Sequence, residues 1–192
     1  MTPTRTVAVL NGSLRKASVT GKVAKALADL TPQLRFRPVA IEDLPFYDQD
    51  LETETPPAAW ARFRKEISAA DAVLFATPEY NRSVPAALKN AVDVGSRPWG
   101  KSVWNGKPGA VVSVSPGALG GFGANHHLRQ SLTVLNVPLL SREAYVGNAF
   151  TLFDENGALI NPDTSAFLRD YGAAFAAWVE RILADEPARK AA

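Results

Sequence analysis

The chain has 192 residues, 46% hydrophobic and 21% charged, with a formal net charge of +2, which favours one globular domain with a sizeable core. The small net charge gives no argument for nucleic-acid binding, and the absence of cysteine excludes disulfides, thiol catalysis and cysteine metal sites. No apolar run reaches the roughly 20 residues that span a bilayer, and the opening Met-Thr-Pro-Thr-Arg-Thr leaves no room for a signal peptide, so we expect a cytoplasmic protein without membrane partners.

Apolar runs typical of strands alternate along the chain with stretches of helical periodicity. In chain order the pattern predicts strand 6–10, helix 18–30, strand 34–41, helix 57–70, strand 72–76, helix 84–94, strand 110–114, helix 121–136, strand 137–140, a hairpin turn at Asn156-Gly157 and helix 163–184. This repeat predicts an α/β fold, a doubly wound parallel sheet with helices on both faces, as one domain over residues 1–192.

The first predicted strand ends in a Gly-Ser-Leu-Arg-Lys-Ala-Ser loop that leads directly into a helix. A helix N-terminus offers unpaired N–H groups and a partial positive charge to an anion. The loop adds the hydroxyls of Ser13, Ser18 and Thr20 and the cations Arg15 and Lys16, all suited to phosphate oxygens. The glycines of the common nucleotide fingerprints are missing. The loop therefore predicts a site for a monophosphate, as in flavin mononucleotide (FMN), more than for a pyrophosphate or triphosphate.

The loop after the third predicted strand reads Thr-Pro-Glu-Tyr-Asn-Arg-Ser-Val-Pro. Tyr80 offers a flat face with a polar tip, and Asn81 can donate and accept hydrogen bonds, which suits the edge of a flavin pyrimidine. Glu79 either accepts a hydrogen bond or shapes the loop. The alternative is an ordinary turn in which Ser83 is the N-cap of the next helix.

The loop after the fourth predicted strand reads Ser-Val-Ser-Pro-Gly-Ala-Leu-Gly-Gly-Phe-Gly. Its glycines allow the backbone to approach a flat ring closely. The alternative is a flexible turn without a ligand. In a doubly wound sheet, ligands bind beyond the carboxyl ends of the strands where the strand order reverses, and all three loops are candidates for that position.

Three motifs together resemble the NADPH-dependent FMN reductase family, which includes bacterial chromate and quinone reductases and some azoreductases. They are the Gly-Ser-Leu-Arg-Lys-x-Ser loop, the Pro-Glu-Tyr-Asn-x-Ser-Val-Pro-x-x-Leu-Lys-Asn-Ala string and the Gly-Gly-x-x-x-x-x-His-Leu-Arg-Gln helix. The resemblance covers roughly residues 5–150 in register. It implies a flavodoxin-like fold with a five-stranded parallel sheet in the order 2-1-3-4-5.

The resemblance also implies the residues that bind the cofactor. On the phosphate side they are Ser13, Arg15, Ser18, Val19 and Thr20. Around the isoalloxazine they are Pro78, Glu79, Tyr80, Asn81 and Arg82, with Ser115 and Gly117 on the other edge. The family often has Asn at position 20, where a hydroxyl still donates. Relatives of the chromate reductase type often have Ala-Arg where this chain has Phe122-Gly123, and the missing cation argues against anionic acceptors such as chromate.

The activity implied is hydride transfer from NADPH or NADH through FMN to a quinone, an azo compound, free flavin or a similar small acceptor, by a ping-pong sequence. No side chain is assigned as a catalytic residue or metal ligand. The alternative is a flavodoxin-type electron carrier without substrate turnover of its own, against which the pI of about 9.0 argues, since flavodoxins are typically acidic. A binding module without flavin is a third possibility. The usual assemblies of the family imply a homodimer or homotetramer.

Other chemistry-bearing residues are interpreted without a catalytic role. His126 and His127 are adjacent, so on a helix they point about 100° apart and do not share a metal ion. Trp99 and Trp104 flank a Pro/Gly-rich loop, which is typical of a ligand cover or a subunit interface. We interpret the acidic residues between 48 and 54 as a solvated loop.

Overall fold

The computed structural model describes residues 4–190, with side chains through residue 184. The strands and helices are β1 (Thr6–Asn11), α1 (Val19–Asp29), β2 (Arg35–Pro38), α2 (Ala58–Ser68), β3 (Ala72–Pro78), α3 (Ala86–Gly95), β4 (Gly109–Val114), α4 (Phe122–Val134), β5 (Ala144–Val146) and α5 (Pro162–Lys190). Short 3-10 turns lie at Gln49–Leu51 and Ala149–Thr151. The predicted alternation of strand and helix is confirmed, as is the hairpin turn, where Gly157 has a φ of +82° beside a Phe153–Leu159 bridge.

The five strands form one parallel sheet in the order β2-β1-β3-β4-β5, which confirms the predicted topology. β1 pairs with β2 on one side and with β3 on the other, so the strand order reverses between β1 and β3. Because all the strands are parallel, their carboxyl ends meet at one edge of the sheet, and the reversal lies at that edge.

The core lies on both faces of the sheet. Successive side chains of a strand point to opposite faces, so Val7 and Val9 pack with α1 and α5, whereas Ala8 and Leu10 pack with α2, α3 and α4. The predicted helical stripe of α2 is confirmed, since Trp60, Phe63 and Ile67 are fully buried.

The prediction of a core strand at 137–140 is wrong, because the fifth strand lies at Ala144–Val146. The predicted run pairs with β4 only at Gly109, the first residue of β4, through a bridge to Leu139. Pro138 lacks the N–H that a ladder requires, although its carbonyl accepts the N–H of Gly109 at 3.1 Å. The chain then turns and pairs β5 with the second half of β4.

Two surface interpretations also need correction. Trp104 is fully buried among Phe63 and Phe75, with its indole N–H donating to the carbonyl of Val92 at 2.9 Å, whereas Trp99 is 86% exposed. Trp104 is therefore a core residue and no part of a ligand cover or interface. In the acidic loop, Glu52 is held by Arg64 at 2.7 Å with both side chains only 13% exposed, so it is not simply solvated.

The buried Tyr171 gives the fold a dependence on alkaline pH. Its hydroxyl donates to the carbonyl of Val111 at 2.9 Å, and burial raises its pKa to about 12. The unfolded chain releases this proton near pH 10 and the folded chain only near pH 12, so stability falls across that interval by up to about 3 kcal/mol. We expect the denaturation midpoint to fall between pH 9 and pH 11.5 by more in the wild type than in Tyr171→Phe. Equal falls would contradict this assignment.

Candidate active site

The loops that follow β1, β3 and β4 meet at the carboxyl edge of the sheet, where the strand order reverses. Gly12 donates its N–H to the carbonyl of Ala76 at 2.8 Å. A Cβ at position 12 would lie 3.2 Å from Cδ of Pro78, the last residue of β3, so the loop after β1 lies against the point where the loop after β3 begins. The sheet thus brings together the loops that the sequence singles out.

The loop after β1 is held by Asn11, a residue that the sequence analysis did not single out. Its Oδ1 accepts the N–H of Ser13 at 3.1 Å, and its Nδ2 donates to the carbonyl of Ser13 at 3.0 Å and to Oγ of Ser18 at 3.4 Å. Oγ of Ser18 in turn accepts the N–H of Gly21 at 3.0 Å as the N-cap of α1. The only sequence signal was an Asn directly before Gly-Ser, which is common in turns.

The same loop presents the groups that an anion needs. Ser13, Ser18 and Thr20 are at most 9% exposed, whereas Arg15 is exposed. Among the described backbone groups and side chains, none is hydrogen-bonded to Oγ of Ser13, to Oγ1 of Thr20 or to the N–H groups of Val19 and Thr20. Hydroxyls and N–H groups at a helix N-terminus therefore remain available to a ligand.

The loop after β3 is a tight turn. Tyr80 and Ser83 exchange both backbone hydrogen bonds, at 3.0 and 2.9 Å, and the two residues between them have φ values of 50° and 64°. Positive φ at both central positions is what a two-residue hairpin turn of this kind requires. Tyr80 is about half exposed, at 48%. The alternative with Ser83 as a helix N-cap is wrong, because α3 begins at Ala86 after Pro85.

The loop after β4 packs against the end of β5 and the segment that follows it. Ser115 donates its N–H to the carbonyl of Val146 at 3.0 Å, and its Oγ accepts the N–H of Gly117 at 3.2 Å. A Cβ at Gly147 would lie 2.6 Å from the carbonyl oxygen of Ala118, so only glycine permits this approach. The exposed Gly117 is thereby held against the segment that follows β5.

A model of the NADPH-dependent FMN reductase family matches residues 5–151. This chain belongs to that family. It is 58% identical to a quinone reductase of Pseudomonas putida over 94% of this chain and 97% of the relative. It is 44% identical to a 2-hydroxy-1,4-benzoquinone reductase of a Burkholderia species over 90% and 95%. The solved structure of FerB from Paracoccus denitrificans, a flavoenzyme NAD(P)H:(acceptor) oxidoreductase, superposes with a TM-score of 0.86 at 39% identity, covering 92% and 98%.

Family membership confirms the flavodoxin-like fold and the predicted class of enzyme, an FMN-dependent NAD(P)H oxidoreductase, over the electron-carrier alternative. The loop after β1 fits the phosphate end of FMN, because it combines unpaired hydroxyls, free N–H groups and exposed cations. The loops after β3 and β4 offer a tyrosine face, an amide and glycine backbone, which suit the flat ring of the FMN reductase cofactor.

A groove of about 630 Å³ opens beside the loops after β1 and β3. Arg15, Glu42 and Asn90 supply its polar groups. The remaining lining is mainly apolar or aromatic and comprises Gly12, Leu14, Ile41, Leu44, Phe46, Tyr80, Pro85, Ala86 and Ala87. A volume of about 300–1,000 Å³ with an apolar wall is typical of small-molecule sites. In this FMN reductase the groove adjoins two of the predicted cofactor residues.

The two adjacent histidines lie on the outer side of α4. Nε2 of His126 is 2.9 Å from the hydroxyl of Tyr145, which donates to Glu143, and Nδ1 of His127 is 3.0 Å from Oγ of Ser83. Burial raises the pKa of Tyr145 to about 12, which keeps its hydroxyl protonated. Among the described residues no cluster of three metal-ligating side chains occurs, and no described helix is long and apolar enough to cross a membrane.

Proposed function

We propose that this FMN reductase transfers hydride from NADPH or NADH through FMN to a quinone. The name of the 58% identical relative, a quinone reductase matched over nearly the full length of both chains, supports this acceptor. The 44% identical relative is also named for a benzoquinone. The observation that carries the proposal is the loop after β1, where unpaired hydroxyls and N–H groups stand at the N-terminus of α1.

The phosphate of FMN is held, in this proposal, by Ser13, Arg15, Ser18, Val19 and Thr20. The hydroxyls donate directional hydrogen bonds, Val19 donates its backbone N–H, and Arg15 can bind two phosphate oxygens at once. The dipole of α1 adds a partial positive charge at the same end. Arg15 is exposed, whereas Ser13, Ser18 and Thr20 are at most 9% exposed. Of the three hydroxyls, only Oγ of Ser18 is already held, by Asn11 and by the N–H of Gly21.

The isoalloxazine is flanked, in this proposal, by the loops after β3 and β4. Pro78, Glu79, Tyr80, Asn81 and Arg82 form one side. Ser115 and Gly117 form the other. When bound, FMN supplies the redox chemistry, accepting a hydride from the nicotinamide and passing two electrons to the acceptor. The chain orients the ring through backbone groups and the Asn81 amide, and no side chain has to act as a base.

The groove lined by Leu44, Phe46 and Tyr80 is proposed as the place where a flat acceptor enters. Its apolar wall favours a quinone ring, since removing aromatic surface from water stabilises binding. With Arg15 bound to the phosphate, the exposed Glu42 leaves a negative charge in its lining, so the groove does not favour anions. Protons for the reduced acceptor come from water at this open surface.

We further propose that residues 1–192 form one FMN-binding domain that assembles as a homodimer or homotetramer in the cytoplasm. The two cores share a single sheet, which supports one domain. The exposed Phe46 and Trp99 supply apolar surface of the kind that subunits cover. NAD(P)H is a metabolite of the cell interior, which supports the location. Light scattering after size-exclusion chromatography tests the assembly.

We expect Arg15→Ala to weaken FMN binding by about 1.5–3 kcal/mol, because it removes a charged hydrogen bond to phosphate. Riboflavin, which lacks the phosphate, should bind equally well to the variant and the wild type. Quenching of flavin fluorescence by the apoprotein measures both affinities. The matched control is Arg35→Ala. Arg35 is exposed and is the first residue of β2, at the end of the strand away from the carboxyl edge of the sheet. Unchanged FMN affinity in Arg15→Ala would refute the phosphate assignment.

The activity itself is tested by NAD(P)H oxidation in the presence of FMN and 1,4-benzoquinone. The enzyme should oxidise NAD(P)H in stoichiometric amounts with the quinone, with initial rates that give parallel lines for a ping-pong sequence. A purified chain that binds no FMN, or that oxidises almost no NAD(P)H when quinone is present, would contradict the proposal.

A further inference from the structure

The carboxylate of Glu79 lies between the two loops that we propose to flank the isoalloxazine. Its Oε2 accepts the N–H of Ala124, in the first turn of α4, at 3.1 Å. Its Oε1 lies 3.3 Å from Nη1 of Arg82. The side chain is only 12% exposed. Both carboxylate oxygens therefore bind groups of the protein, and the side chain is turned toward α4.

Helix α4 has no cap from its own sequence. Its N-cap residue is Gly121, with a φ of +78°, which has no side chain to accept a first-turn N–H. Helices usually take that acceptor from Ser, Thr, Asp or Asn at the N-cap. Here Glu79, 45 residues earlier in the chain, supplies it, and its negative charge stands at the positive end of the helix dipole. This cap joins the turn after β3 to the helix that follows the loop after β4.

Gly123 permits the close approach of α4 to the turn. A Cβ at this position would lie 2.7 Å from the carbonyl oxygen of Arg82 and 3.1 Å from Oε2 of Glu79. The first distance is shorter than any van der Waals contact and involves backbone, so the turn would have to shift. Gly123 thus lies where the turn after β3 and the start of α4 touch.

The turn that Glu79 holds has a backbone that does not form readily by itself. Asn81 and Arg82 have φ values of 50° and 64°. Asn tolerates this left-handed region, but the Cβ of an arginine is crowded there. Oγ of Ser83 makes a second link to α4 through Nδ1 of His127 at 3.0 Å. The turn is therefore closed by its own backbone hydrogen bonds and attached to α4 at both ends.

We infer that Glu79 is a positioning residue that fastens the turn after β3 to α4, so that the two loops keep one arrangement around the flavin ring. The inference rests on the proposed function, because it takes those loops as the ring site. The carboxylate acts through the turn, because both of its oxygens already bind protein groups. Its removal should therefore weaken binding of the ring and leave the phosphate end intact.

The test compares Glu79→Ala and Glu79→Gln with the wild type, using apoprotein and two ligands, FMN and riboflavin. Glu79→Ala should lower the affinity for both ligands by the same factor, about tenfold. The reason is that the charged hydrogen bond between the turn and the N–H of Ala124 is lost. Glu79→Gln keeps an oxygen that accepts the N–H of Ala124, so it should recover most of that affinity. The visible spectrum of bound FMN should differ from wild type in Glu79→Ala only.

Inorganic phosphate reports on the other end of the site. The rise in melting temperature that it produces by binding the folded state should be the same in Glu79→Ala and in the wild type. A smaller rise in the variant would mean that the whole site is damaged, which would overturn a role confined to the turn. Glu54→Ala, an exposed glutamate in the loop after β2, is the matched control.

Gly123→Ala gives an independent arm with Glu79 intact. The added Cβ pushes the Arg82 carbonyl away, so the affinity for riboflavin should fall as it does in Glu79→Ala. Unchanged riboflavin affinity in both variants overturns the inference, and if Arg15→Ala still weakens FMN binding, the proposed function stands. A wild type that binds neither flavin overturns the proposed function and the inference together.

Discussion

Trp104→Ala is expected to lower the free energy of unfolding by about 3–5 kcal/mol, the cost of removing a fully buried aromatic side chain. The indole packs against Phe63 of α2 and Phe75 of β3, and its N–H donates to the carbonyl of Val92 in α3. That carbonyl also accepts the N–H of Ser96 at 3.1 Å, so the loss is one of packing and leaves no orphaned acceptor. Urea unfolding followed by circular dichroism measures the change.

The control is Trp99→Ala in the same loop. Trp99 is 86% exposed, so its removal should change the free energy of unfolding by no more than about 0.5 kcal/mol. Similar losses for the two tryptophans would contradict the assignment of Trp104 to the core.

Gly95→Ala tests the packing of Trp104 in a second way. A Cβ there would lie 2.4–2.7 Å from three atoms of the Trp104 indole, and the surrounding aromatic rings leave the indole no room to move. Gly95→Ala alone should therefore cost about 3 kcal/mol. In the Trp104→Ala background the same substitution meets an open space and should cost far less. Additive costs in the double variant would show that the steric contact is not the cause.

The parallel sheet could be predicted from sequence because its central strands are unusually clear. The run from Ala72 to Ala76 is uniformly apolar and is bounded by Asp71 and Pro78, as a strand buried on both faces requires. The fifth strand could not be found in this way. It has only three residues, Ala144–Val146, too few for any periodicity, and the longer apolar run at 137–140 attracted the assignment despite Pro138.

Trp104 shows a second limit. A loop rich in Pro and Gly predicts exposed residues. The sequence does not reveal that the indole of Trp104 packs against Gly95, nine residues earlier, where any side chain would exclude it from the core. The same kind of information was missing at Asn81-Arg82, where Asn suggests a turn but Arg does not suggest a positive φ. Packing between residues that are distant in the sequence is seen only in the folded structure, whereas local patterns can be read from the sequence.

At the candidate site, the predicted residue types and loops are brought to one edge, but their support could not be read from the sequence. Asn11 fixes the first loop through three hydrogen bonds whose geometry depends on how the loop folds back on β1. Glu79 finds its partner 45 residues away. The motifs therefore predict which side chains face a ligand, whereas the residues that hold those side chains in place come from the fold.

Ser18→Asp is expected to weaken FMN binding about a thousandfold while leaving the fold intact. Aspartate is as good an N-cap as serine and places a negative charge at the positive end of α1, so the N–H of Gly21 keeps its acceptor. The added carboxylate would then face the phosphate. Two like charges about 4 Å apart at an effective dielectric of about 20 repel by about 4 kcal/mol, which corresponds to about a thousandfold in affinity.

Ser18→Asn is the matched control, because it also caps the helix but carries no charge. Riboflavin should bind to the wild type and to both variants with similar affinity, since it has no phosphate to repel. Fluorescence titration of the three apoproteins with FMN and with riboflavin measures the difference, and thermal unfolding reports on the cap. A contradictory result would be an FMN affinity of Ser18→Asp within about tenfold of wild type while the N–H of Gly21 remains capped. In that case the phosphate does not lie at the N-terminus of α1, and the assignment of the loop after β1 as the phosphate site is wrong.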